Sequence, residues 1–71
     1  MNAIQLYDKI DEEIVGTVLL KENVSFSEIA DAWDEYQETH NFDLENEPDI
    51  YEFVSKNKNL CIVLNVEFYQ P

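Results

Sequence analysis

Apolar residues open the chain at even spacing, with Ile4, Leu6 and Ile10 set among polar neighbours, and a second short, β-branched run follows at Ile14-Val15-Gly16-Thr17-Val18-Leu19-Leu20. Both predict strands, over about 3–10 and 14–21, because alternation puts one side of a pleated strand into a core. Asp8 to Glu13 becomes the hairpin turn, and without an Asn-Gly or Asp-Gly pair a longer loop is expected. Gly16, the only glycine, interrupts the second run and predicts a bulge or the close approach of a packed helix.

The period then changes. Ser25-Phe26-Ser27-Glu28 fits a capping box, in which the Ser25 hydroxyl takes the Glu28 N–H and the Glu28 carboxylate reaches back to the Ser25 N–H. A helix over about 26–39 follows. Phe26, Ile29, Ala30, Trp33, Tyr36, Gln37 and His40 fall on one arc at 100° per residue, and Glu28, Asp31, Glu35 and Glu38 fall on the opposite arc. Asn41 to Glu47 reads as a polar loop pinned by Phe42 and Leu44. A shorter helix is expected over about 48–56, with Pro48 at its first position, Asp49 favouring its N-terminal end, and Ile50, Phe53 and Val54 at helical spacing. The last strand, about 60–69, alternates Leu60, Ile62, Leu64, Val66 and Phe68 as one apolar face. Cys61, Val63, Asn65, Glu67 and Tyr69 form its mixed face.

The order β-β-α-α-β predicts an α+β fold: one domain over 1–71, a three-stranded, mainly antiparallel sheet with two helices on one face. The core then comprises the Phe26–Trp33 helix, the Ile50–Val54 helix and the last strand. If the mixed face of that strand, with Val63 and Tyr69, joins Val15 and Leu19, it forms an apolar patch suited to a homodimer or a protein partner.

Charge alters the picture more than size does. Four lysines, no arginine and 16 acids leave a net charge of −12, which excludes binding to nucleic-acid phosphates or anionic lipid. The 45% apolar and 13% aromatic content is that of a folded chain, not of an acidic disordered tail. Cys61 is the single cysteine, so neither a disulfide framework nor a thiolate metal site is expected. The N-terminal residues lack a basic, apolar leader, and no apolar stretch approaches the ~18 residues of a membrane span. A cytoplasmic protein is expected.

No lysine or arginine occurs between Glu22 and Ser55, a segment that holds 11 of the 16 acids. Like charges three and four apart on a helix are destabilising, so a one-sign face costs stability. The candidate site residues are therefore Glu28, Asp31, Asp34, Glu35, Glu38, Asp43, Glu45, Glu47, Asp49 and Glu52. We read them as a surface for a basic site on a protein partner. Carboxylates at helical spacing lie roughly 5–6 Å apart, on the scale of phosphates along a strand. In size and charge, though in no motif, the chain is similar to small phage and plasmid inhibitors of DNA-handling enzymes. The alternative is a structural or self-associating protein whose charge serves only solubility.

Other chemistry is weaker. Asp43, Glu45, Glu47 and Asp49 alternate like the first half of a calcium loop, but Pro48 stands where that loop needs glycine and Val54 where it needs glutamate. His40 has no recognised nucleophile arrangement around it and reads as a partly buried residue at the core's edge. We expect no enzyme, no catalytic residue, no cofactor and no metal centre.

Overall fold

The computed structural model describes residues 2–66. Strands β1 (Ala3–Asp8) and β2 (Glu13–Leu20) form the antiparallel hairpin, helices α1 (Phe26–Thr39) and α2 (Ile50–Lys56) follow, and β3 (Cys61–Val66) returns antiparallel to β2. The strand order is β1-β2-β3, one open sheet. This is the α+β arrangement that the sequence predicts. The expected extension of the last strand to residue 69 lies outside the described residues, with Glu67, Phe68 and Tyr69.

The hairpin turn is held by Asp8. Its carboxylate accepts the Ile10 N–H at 2.8 Å, and its carbonyl accepts the Glu12 N–H at 2.9 Å. Closing the loop drives Glu12 to φ 59°, a left-handed conformation that costs a residue with a Cβ roughly 1–2 kcal/mol. Register then shifts between Leu6 and Tyr7: Leu6 faces Gly16, Tyr7 faces Ile14, and Val15 is the extra residue of a bulge. The glycine thus adjoins the bulge and is buried. Trp33 reaches β1 beside the bulge, its Nε1–H donating to the Tyr7 carbonyl at 2.9 Å.

Both helices lie on one side of the sheet. Leu6, Val18, Leu20 and Cys61 from the strands are buried with Ile29, Trp33 and Tyr36 of α1 and Ile50 and Phe53 of α2. Trp33 and Phe53 meet edge to face, with ring centroids 5.0 Å apart at 84°. Phe26, placed by the helical arc in the core, is instead 67% exposed: in the first turn of α1 it lies past the end of the layer that Ile29 and Trp33 fill. Pro48 precedes the second helix instead of opening it. Asp49 is the N-cap, its carboxylate accepting the Tyr51 N–H at 2.9 Å.

The last strand faces the opposite way from its apolar alternation. Cys61 pairs with buried Leu20 and Val63 with buried Val18, so these two point into the core, while Ile62 pairs with Leu19 on the open face. Ile62 and Leu64 are 48% and 55% exposed. The turn out of α2 sets this parity. The Asn57 carbonyl accepts the Leu60 N–H at 2.9 Å, and the Leu60 carbonyl accepts the Lys21 N–H at 2.9 Å, which fixes Leu60 beside the end of β2. A second bulge follows between Thr17 and Val18, where Leu64 is the extra residue and Asn65 pairs with Thr17.

Candidate functional site

All ten carboxylates singled out in the sequence, from Glu28 to Glu52, are exposed on the helices and the loop that joins them. The capping box at Ser25 starts α1, and its amphipathic period turns Glu28, Asp31, Asp34, Glu35 and Glu38 away from the sheet. Among the described residues only two of the ten have a basic side chain within ion-pair reach. Lys9 Nζ lies 3.0 Å from Asp34, and His40 Nε2 lies 3.9 Å from Glu52. Exposed pairs of this kind contribute about 0–1 kcal/mol, so the surface keeps a strongly negative field.

The ten do not share one role. Glu28 accepts the Ser25 N–H and hydroxyl at 3.2 Å each. Asp43 folds the loop by accepting the N–H groups of Glu45 and Asn46 at 2.9 and 2.8 Å. Asp49 caps α2. Glu52 accepts the Tyr36 hydroxyl at 2.8 Å, while that hydroxyl accepts the Asp49 N–H at 3.1 Å, a link that ties α1 to α2. Burial, with the Glu52 carboxylate next in effect among the groups that raise it, pushes the Tyr36 hydroxyl pKa up to about 12. This leaves Asp31, Glu35, Glu38 and Glu45 with no side-chain partner among the described residues. The first three are spaced four and three apart, on a single stripe of α1.

Glu47 has a different neighbourhood. Its carboxylate meets those of Asp8 and Asp11, all within 4.8 Å of one another, with Asp8 only 2% exposed and Asp11 Oδ1 buried without a hydrogen-bond partner. Burial, reinforced by the Asp11 charge, raises the Asp8 pKa against the Ile10 N–H that lowers it. A shared hydrogen bond with Asp11 is the main cause that raises Glu47. Like charges this close favour keeping a proton, and three carboxylate oxygens are the donor type that a hard divalent cation takes. The Asp43-Glu45-Glu47-Asp49 spacing does not form this group. Asp43 and Asp49 are engaged in the loop and the cap, and only Glu47 enters it. Asp8 and Asp11 were not among the sequence candidates, because tertiary packing of the hairpin turn against the loop before α2 brings them to Glu47.

A depression of about 100 Å³ is lined by Lys9, Ile10, Gln37, Glu38 and Phe42, well below the ~300–1,000 Å³ typical of small-molecule sites. His40 sits half-buried at the end of α1, its Nδ1 2.9 Å from the Tyr36 carbonyl and its ring stacked on Phe42 with centroids 5.1 Å apart. Cys61 is fully buried, and that burial pushes its thiol pKa up, the condition of an unreactive thiol. Among the described residues no helix is long and apolar enough to cross a membrane. No protein-family model, curated protein or solved structure matches the chain.

Proposed function

We propose that the chain is a small, non-catalytic acidic binding module of the cytoplasm, whose helix layer docks on a basic surface of a protein partner and competes there with nucleic acid. The observation that carries this reading is the exposure of all ten carboxylates between Glu28 and Glu52, with a basic neighbour for only two of them among the described residues. Such a field steers a positively charged partner and favours its encounter. The Asp31, Glu35 and Glu38 stripe is its centre, because these carboxylates have no hydrogen bonds in the fold to give up on binding.

Competition is the direct test. The immobilised protein is exposed at low salt to a nucleic-acid-depleted lysate of its native host, and duplex DNA is then added. Release of DNA-binding proteins by the duplex, with retention falling steeply as salt rises, supports the reading. Retention of no DNA-binding protein at low salt removes the nucleic-acid-mimic form of it, and partners indifferent to salt remove the electrostatic form as well.

A further inference from the structure

The sheet has a side that the helices leave uncovered, and its composition differs from the rest of the surface. Outward positions follow from the pairing: Ala3 opposite Leu19, Gln5 opposite Thr17, Tyr7 opposite Ile14, then Leu19 opposite Ile62 and Thr17 opposite Asn65. None of these positions is charged, in a chain with 28% charged residues. Tyr7, Ile14, Ile62 and Leu64 are each 39–55% exposed on this side, Ile62 beside Leu19 at one end of the middle strand and Tyr7 with Ile14 at the other.

We propose that this open face is a homodimer interface, on which a second copy packs sheet to sheet about a two-fold axis. Charge selects the face that two copies can share. Two molecules of net charge −12 repel wherever their acidic layers meet, and the described positions of the open face let them touch without opposing carboxylates. In a face-to-face pair the sheets lie ~10 Å apart and the helix axes of the two copies about 30 Å apart, with the acidic arcs further out still, several Debye lengths at physiological salt. The acidic layers then point away from each other and stay open to other proteins. Stable pairs begin at about 600 Å² buried per partner, ~1,200 Å² in total, and the exposed Tyr7, Ile14, Ile62 and Leu64 side chains are the apolar surface this face offers towards that area. An isologous contact needs a self-complementary surface, and an uncharged face with Leu19 of the middle strand flanked by Ala3 and Ile62 can meet its own copy without opposing charges. This proposal does not depend on the acidic layer having a partner.

Sedimentation equilibrium over a concentration series into the millimolar range tests it. The expected particle has twice the 8.4 kDa chain mass, with association unchanged or tightened as salt rises. The double variant Ile62→Lys, Leu64→Lys changes two exposed side chains and should weaken association by roughly a hundredfold or more, with an unchanged circular dichroism spectrum. Tyr7→Lys, on the far strand, serves as a second disruption should the first variant unfold. Leu19→Cys should give a disulfide-linked dimer on mild oxidation, and Asp31→Cys should not. A wild-type chain that stays monomeric at millimolar concentration overturns the proposal. So does a dimer that survives folded lysine variants of this face, or cross-linking through Asp31→Cys in preference to Leu19→Cys.

Discussion

The two broad surfaces of this protein, its helix layer and its open sheet face, are built from the same chain under opposite rules. The helix layer turns ten carboxylates outward. Among the described residues the outward strand positions of the open face carry none, and Ile62 and Leu64 are left about half exposed. A solvated acidic protein with no further use for its surface has no need to sort its charge in this way, since interspersed signs keep a small domain soluble at lower cost. The sorting makes the two surfaces separable by salt. The proposed docking of the helix layer should weaken as ions screen it, whereas the proposed pairing of sheet faces should not.

The sharpest contrast within the fold is between the side of the sheet that the helices cover and the side that they leave open. Phe53→Ala removes a fully buried ring that meets Trp33 edge to face, and should destabilise by about 3–5 kcal/mol, a large part of the stability of so small a domain. Leu64→Ala, at the bulge on the open face, should change monomer stability by about 0.5 kcal/mol or less. Urea denaturation at low protein concentration distinguishes them. Equal losses would mean that the open face is packed in the monomer.

The helix layer gives the next effect in size. Ser25→Ala removes the hydroxyl that accepts the Glu28 N–H while keeping the backbone N–H that donates to the Glu28 carboxylate, and should cost about 1 kcal/mol by the same measurement. A loss this small with retained helix content would show that the acidic stripe is held mainly by packing of Ile29, Trp33 and Tyr36, whereas a collapse of the helical signal would assign that role to the cap.

The smallest effect belongs to the carboxylates around Glu47. Asp8 and Glu47 have raised pKa values, so the folded chain holds protons that the unfolded chain has released. Stability from these groups is therefore present at low pH and lost as pH rises through the folded pKa values, above the ordinary carboxylate range. The melting temperature should rise as pH falls from 7 towards 5, and Glu47→Gln should raise it at pH 7 while flattening that dependence. A melting temperature that falls over this interval, or a variant that melts lower at pH 7, would show that the three carboxylates are stabilised as anions.

Much of this was legible along the chain, for identifiable reasons. The Ser25–Glu28 box and the 100° period of Ile29, Trp33 and Tyr36 are local signals, and they located the start and the buried arc of α1. The same period marked the acidic stripe, because a helix that buries one arc must expose the other. Phe26 follows that period yet stays exposed, since period assigns a side and not a depth. The parity of β3 was not legible. Its alternation of Leu60, Ile62, Leu64 and Val66 describes an apolar face without saying which way that face points. The Asn57 turn and the pairing of Cys61 with Leu20 decide that, and both are tertiary. The meeting of Glu47 with Asp8 and Asp11 is long-range in the same sense, across more than half the chain.

The acidic stripe of α1 is the centre of this account, and charge reversal tests it most directly. Asp31→Lys, Glu35→Lys and Glu38→Lys together leave the capping box, the α2 cap and the Tyr36 link intact, so the helical spectrum should persist. Capture of partners from host lysate at low salt by this variant, measured against the wild type, should fall to background. A folded triple variant that retains the same proteins in the same amounts would contradict the assignment of recognition to this stripe.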